Sequence, residues 1–81
     1  MGVISGIVTY ANGQPSTISQ VSAKVGGLFS GGVTQRVRTD SQGRFAVTWN
    51  GDGAAEIVYC DGREVAKNVR SGTNTLHIVT R

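Results

Sequence analysis

The sequence predicts an all-β domain, a β-sandwich of seven short strands. Apolar residues alternate with polar ones, and no stretch repeats at helical spacing. The apolar runs are short and are separated by Gly, Asn, Asp and Ser. Twelve of the 81 residues are glycine, about twice the usual share of about 7%, which fits many tight turns. The strands are expected at 3–10, 18–25, 33–40, 44–50, 54–60, 63–69 and 74–80, in one domain spanning 1–81.

Between the third and fourth strands stands Arg38-Thr39-Asp40-Ser41-Gln42-Gly43-Arg44-Phe45. Read as a hairpin, Ser41-Gln42-Gly43 form a three-residue loop closed by Gly43 in the left-handed region. A residue with a Cβ resists that region. Asp40 then faces Arg44, Thr39 faces Phe45 and Val37 faces Val47. This register gathers Val37, Thr39, Phe45, Val47 and Trp49 on one face. Arg36, Arg38, Asp40, Arg44 and Thr48 share the other, and a one-residue slip would mix the two. Asp40 is placed to accept a backbone hydrogen bond within the turn, so turn chemistry accounts for the acid, the glycine and the base without an active site.

Asp61-Gly62 is a strong two-residue type I′ signal. It pairs Cys60 with Arg63, Val58 with Val65 and Glu56 with Lys67. Facing is ambiguous here: Val58 and Val65 mark one side, and Ile57, Tyr59 and Ala66 the other. In the last strand Leu76 and Ile78 are expected inward, which turns His77 outward.

Composition sets further limits. A core of this size contributes only about 3–5 kcal/mol of net stability without staples. Cys60 is the single cysteine and His77 the single histidine, so no internal disulfide forms and no structural zinc site is expected. No metal and no cofactor are implied. Net charge is +3, but the basic residues are scattered, so nucleic-acid binding is not expected. No stretch is long and apolar enough to span a bilayer. Residues 1–6 lack the regions of a signal peptide, and Gly6 stands where a myristoylation signal needs Ser or Thr. Either the protein is intracellular or the chain is a module of a longer secreted or cell-envelope protein, with Met1-Gly2 as an addition.

Residues 4–15 (ISGIVTYANGQP), Val21, residues 39–45 (TDSQGRF) and Gly53 together resemble the carboxypeptidase regulatory-like family, within the broader transthyretin-like group. The family pattern reads G-x-V, then a Gly-x-Pro turn, then T-D-x-x-G-x-F. The resemblance covers nearly the whole chain, and its last element is the most specific. It implies a seven-stranded Greek-key-type sandwich, transthyretin/Ig-like, that serves as an accessory or interaction domain without catalysis. Two related groups fit poorly. Hydroxyisourate hydrolases use several His and Arg residues and a C-terminal Tyr-Arg-Gly-Ser, whereas this chain has only His77 and ends in His-Ile-Val-Thr-Arg. Isopeptide-forming adhesin sandwiches place a Lys on the first strand. Lys24, Asn74 and Glu56 are the right residue types, but the first strand here carries no Lys.

Candidate sites are few, and no catalytic residue is assigned. His77 lacks a second histidine, Cys60 adjoins a turn with nothing to lower its pKa, and Trp49, Tyr10 and Tyr59 suit core or sheet-covering positions better than a sugar platform. The basic face of Arg36, Arg38 and Arg44 is an alternative anion-binding patch. The least ordinary segment is 26–32 (GGLFSGG), where Leu28 and Phe29 sit among glycines. These two are the candidate partner-binding residues; the competing reading is that they plug one end of the sandwich. The function expected is a non-catalytic interaction or structural module with a protein partner. The alternative is an accessory domain for carbohydrate or another small ligand, and a hydroxyisourate-hydrolase-like enzyme is a distant third.

Overall fold

The structure, a computed structural model, describes residues 1–26, 32–51 and 53–80. Among them are eight strands: β1 (Gly2–Tyr10), β2 (Gln20–Val25), β3 (Gly32–Val33), β4 (Val37–Arg38), β5 (Arg44–Trp49), β6 (Ala55–Cys60), β7 (Arg63–Val69) and β8 (Leu76–Thr80). They form two sheets in a sandwich-like arrangement. The three-stranded sheet has the order β5-β1-β8. The five-stranded sheet runs β3-β2-β6-β7, with β4 also paired to β2. Strand β1 lies antiparallel to β5 and parallel to β8.

The expected strand at 33–40 is therefore two short strands on one edge of β2. Lys24 and Val25 pair with Val33 and Gly32, and Gln20 and Val21 pair with Arg38 and Val37. Thr34 causes the break. Its N–H donates to the Ala23 carbonyl at 2.8 Å, while its hydroxyl accepts from the Ala23 N–H at 3.0 Å. A side-chain oxygen thus replaces a backbone carbonyl in the ladder.

The loop at 41–43 forms as expected, but the hairpin does not extend beyond it. The Gly43 N–H donates to the Asp40 carbonyl, the Asp40 N–H donates to the Arg44 carbonyl, and Gly43 has φ +76°. Beyond Asp40 the two arms diverge. Val37 and Arg38 stay with β2, the Thr39 N–H donates to the Ser19 carbonyl at 3.0 Å, and Arg44 pairs with Ile7 of β1. The turn is thus a crossover between sheets. Thr39, Phe45, Val47 and Trp49 are buried and Val37 is half-buried, so the expected division of faces holds while the expected partners do not. The two halves of that apolar set belong to opposite sheets.

The second hairpin matches at its tip, where Asp61 (φ 53°) and Gly62 (φ 82°) both take positive φ and Cys60 pairs with Arg63. Farther out a bulge shifts the register. Tyr59 faces Glu64, Val58 faces Ala66 and Ile57 faces Lys67. Val65 is the extra residue, so the expected pairs Val58–Val65 and Glu56–Lys67 do not form. Lys67 instead pairs with Glu64 at 3.1 Å on the exposed surface, a contact worth under about 1 kcal/mol. The facing is also fixed: Val58 and Cys60 point inward, and Ile57 and Tyr59 are half-buried on the outer side.

The core comprises Ile4, Val8, Val21, Ala23, Phe45, Val47, Trp49, Ala55, Val58, Cys60, Val69 and Ile78. Gly6 lets β8 approach β1, since a Cβ there would overlap the Leu76 carbonyl. Phe45 sits opposite Gly6 in the register and is buried in the core. Phe45→Ala should cost about 3–5 kcal/mol, close to the whole stability of a domain this small. Chemical denaturation followed by tryptophan fluorescence checks this; a variant that keeps the wild-type midpoint would remove Phe45 from the core.

Candidate functional site

The outer face of the three-stranded sheet gathers most of the unspent chemistry. Ile4 and Val8 are buried in the core, so alternation turns Val3, Ser5, Ile7 and Thr9 of β1 to the other face, where Thr9 is itself covered. Arg44, Ala46 and Thr48 of β5 lie beside Ile7, Ser5 and Val3. His77 and Val79 of β8 lie beside Ile7 and Thr9. One row across the sheet therefore reads Arg44, Ile7, His77.

His77 is exposed, as expected. The Thr9 hydroxyl and His77 Nε2 are hydrogen-bonded at 2.7 Å, which occupies one ring nitrogen and ties β8 to β1 on this face. Nothing in the sequence signalled this pair, because the two residues are 68 positions apart.

Arg44 is set by the crossover turn. Asp40 Oδ1 accepts from the Gln42 N–H at 2.8 Å and from the Arg44 N–H at 2.9 Å. These backbone donors, Arg44 first, hold the Asp40 carboxyl below its ordinary value, with the nearby Arg44 charge adding to them. The carboxylate is thus committed to the turn backbone, and no ion pair engages the Arg44 guanidinium among the described residues.

Beside Arg44 is a depression of about 460 Å³ over the Gly6 row, lined by Ser5, Ile7, Arg44, Phe45, Asn74 and Thr75, among others. The Ser5 N–H donates to the Thr73 carbonyl at 2.9 Å, which brings segment 73–75 over one end of it.

Cys60 belongs to a different region. It is only 2% exposed, and burial pushes its thiol up, with the neighbouring Asp61 charge adding to the effect. The nearby Ser16 and Ser19 hydroxyls are hydrogen-bonded at 2.6 Å and buried. A protonated, enclosed thiol is a poor nucleophile.

The remaining candidates are dispersed. Arg36 and Arg38 are exposed, but Arg38 belongs to β4 on the five-stranded sheet and Arg44 to β5 on the other, so the three arginines do not line one hairpin face. Trp49 is buried, with its Nε1–H donating to the Gly53 carbonyl at 3.2 Å. Tyr10 and Tyr59 are half-buried on separate sheets. Lys24 and Glu56 belong to the five-stranded sheet, whereas Asn74 precedes β8 of the other. Leu28 and Phe29 lie outside the described residues. No group of three or more His, Cys, Asp or Glu able to hold a metal occurs among the described residues, and no helix among them is long and apolar enough to cross a membrane. No protein-family model matches the chain, and no curated protein matches it either.

The Asp40 turn carries a pH signature. A carboxyl whose value is lowered by folding contributes stability that is present above the unfolded value of about 3.9 and is lost as pH falls through the folded value. The melting temperature should therefore fall as pH is lowered below about 4. Asp40→Asn keeps an acceptor but no charge and should flatten that decline. Superimposable acid profiles for the two proteins would remove Asp40 from this role.

Proposed function

We propose that this chain is a non-catalytic interaction module that binds an extended segment of a protein partner along the free edge of β8. The observation behind this reading is the contrast between two edge strands. Strand β7 is guarded: it carries Arg63, Glu64 and Lys67, a bulge at Val65, and Asn68 at φ 53°. Charges and bulges of this kind discourage strand addition. Strand β8, Leu76-His77-Ile78-Val79-Thr80, has no Lys, Arg, Asp, Glu or Pro, and its pairing to β1 is regular. Val79 is 57% exposed beside it. Main-chain hydrogen bonds to such an edge supply affinity, and side chains on the adjoining face supply selectivity.

The same reading accommodates the resemblance to the carboxypeptidase regulatory-like family. Each fixed position of its T-D-x-x-G-x-F element has a structural task here: Thr39 and Phe45 are buried, Asp40 holds the turn and Gly43 closes it. In a Greek-key accessory domain of that kind these residues build the scaffold, and binding belongs to edges and loops. A carbohydrate platform draws less support, since Tyr10, Phe45, Trp49 and Tyr59, the aromatics among the described residues, share no exposed face.

Short extended peptides test the reading directly. In a library screen followed by amide NMR, binders should shift β8 resonances. Val79→Lys should abolish binding without lowering the melting temperature, and Val65→Lys on β7 should leave binding intact. Binders that map to other strands, or that tolerate Val79→Lys, would contradict strand addition at β8.

A further inference from the structure

We propose that the depression over Gly6 is a binding site for a small organic carboxylate, with Arg44 as its anchor. This goes beyond strand addition and does not depend on it, since the site lies over the sheet face and not along the β8 edge.

Four side chains that can donate hydrogen bonds line the depression: Arg44, Ser5, Asn74 and Thr75. None of the four side chains has a hydrogen-bond partner or an ion pair among the described residues. They come from three separate segments of chain: β1, β5 and the approach to β8. Asp40 is close enough for its charge to feel Arg44, but its Oδ1 already accepts two backbone N–H bonds. No acidic residue lines the depression among the described residues, so the described lining donates and carries a single positive charge.

The rest of the lining is apolar. Ile7 projects from β1, and Gly6, Phe45 and Leu76 meet in one row beneath. Gly6 adds no side chain to that row, and a Cβ there would overlap the Leu76 carbonyl, so β8 closes against β1 beneath the site. The guanidinium fork matches a carboxylate with two parallel N–H···O bonds. Hydroxyl and amide donors suit its remaining lone pairs, and a volume of about 460 Å³ leaves room for an attached apolar body. A bare inorganic anion would use the charge and leave the Ile7 side unfilled. A free small acid and the C-terminus of a peptide both present the required group.

The test is a titration of the ¹⁵N-labelled chain with sodium butyrate at constant ionic strength, read at the Ser5, Gly6, Arg44 and Thr75 amides. Saturable shifts at these positions are expected. Arg44→Gln should weaken them about tenfold, Arg44→Lys should fall between, and Arg38→Gln on the opposite sheet should change nothing. Arg44 is exposed, so its variants should fold; Thr75→Val provides a second variant that should also weaken binding. Inorganic phosphate and acetyl-Gly-Leu serve as comparison probes. Tighter binding of the peptide identifies a chain terminus as the source, and tighter binding of butyrate identifies a free acid. Shifts that never saturate, that persist in Arg44→Gln, or that phosphate produces at equal or lower concentration than either carboxylate would overturn the proposal.

Discussion

The crossover turn and the connection from β1 to β2 meet on one residue of β1, Val8. The Val8 N–H donates to the Gly43 carbonyl at 2.8 Å, and the Val8 carbonyl accepts from the Ser16 N–H at 2.8 Å. A single buried residue of β1 thereby ties the crossover turn to the connection leading into β2. The packing is close: a Cβ at Gly43 would lie 2.6 Å from the Val8 carbonyl oxygen and 2.9 Å from Pro15 Cβ. Asp40 braces the same turn from inside, and Thr39 ties it to Ser19, whose hydroxyl bonds Ser16. All these groups are polar, yet they are satisfied by one another, and no described buried side-chain N or O atom lacks a partner. Satisfied buried networks of this kind specify one arrangement, whereas partly satisfied ones destabilise it.

This junction determines what the surface offers. By sending β5 to the three-stranded sheet, it places Arg44 beside Ile7 and away from Arg38. It also leaves β1 central and β8 at a free edge. The binding proposals both rest on that sheet: one uses the backbone along β8, the other the depression lined by Ser5, Ile7, Arg44 and Asn74. The opposite sheet is differently finished. Its β7 edge is charged and bulged, and carries the Lys67–Glu64 pair.

Much of this was legible in the residues. The all-β class, the positive-φ positions at Gly43 and Gly62, and the inward set of Phe45, Val47 and Trp49 follow from period-two alternation and turn chemistry. Alternation assigns a face but not a neighbour. Val37 and Phe45 both point into the core, and nothing local distinguishes a hairpin from two strands facing each other across a sandwich. The bulge at Val65 and the break at Thr34 escaped for a related reason. Each depends on a partner strand, and Val and Thr are ordinary strand residues. The Thr9–His77 bond and the depression at Gly6 arise from the parallel pairing of β1 with β8, a contact between the two ends of the sequence.

Gly43 is required for its close approach to Val8 and Pro15, and not merely for its positive φ. Gly13 supplies the comparison, because it has φ +90° and a Cβ added there would meet nothing within 4 Å. Both Gly→Ala changes remove similar freedom from the unfolded chain, and both force alanine into the left-handed region at about 1 kcal/mol. Their difference in denaturation free energy therefore isolates the contact. Gly43→Ala should be more costly than Gly13→Ala by at least about 1 kcal/mol. Equal costs at the two positions would contradict a junction built on that contact.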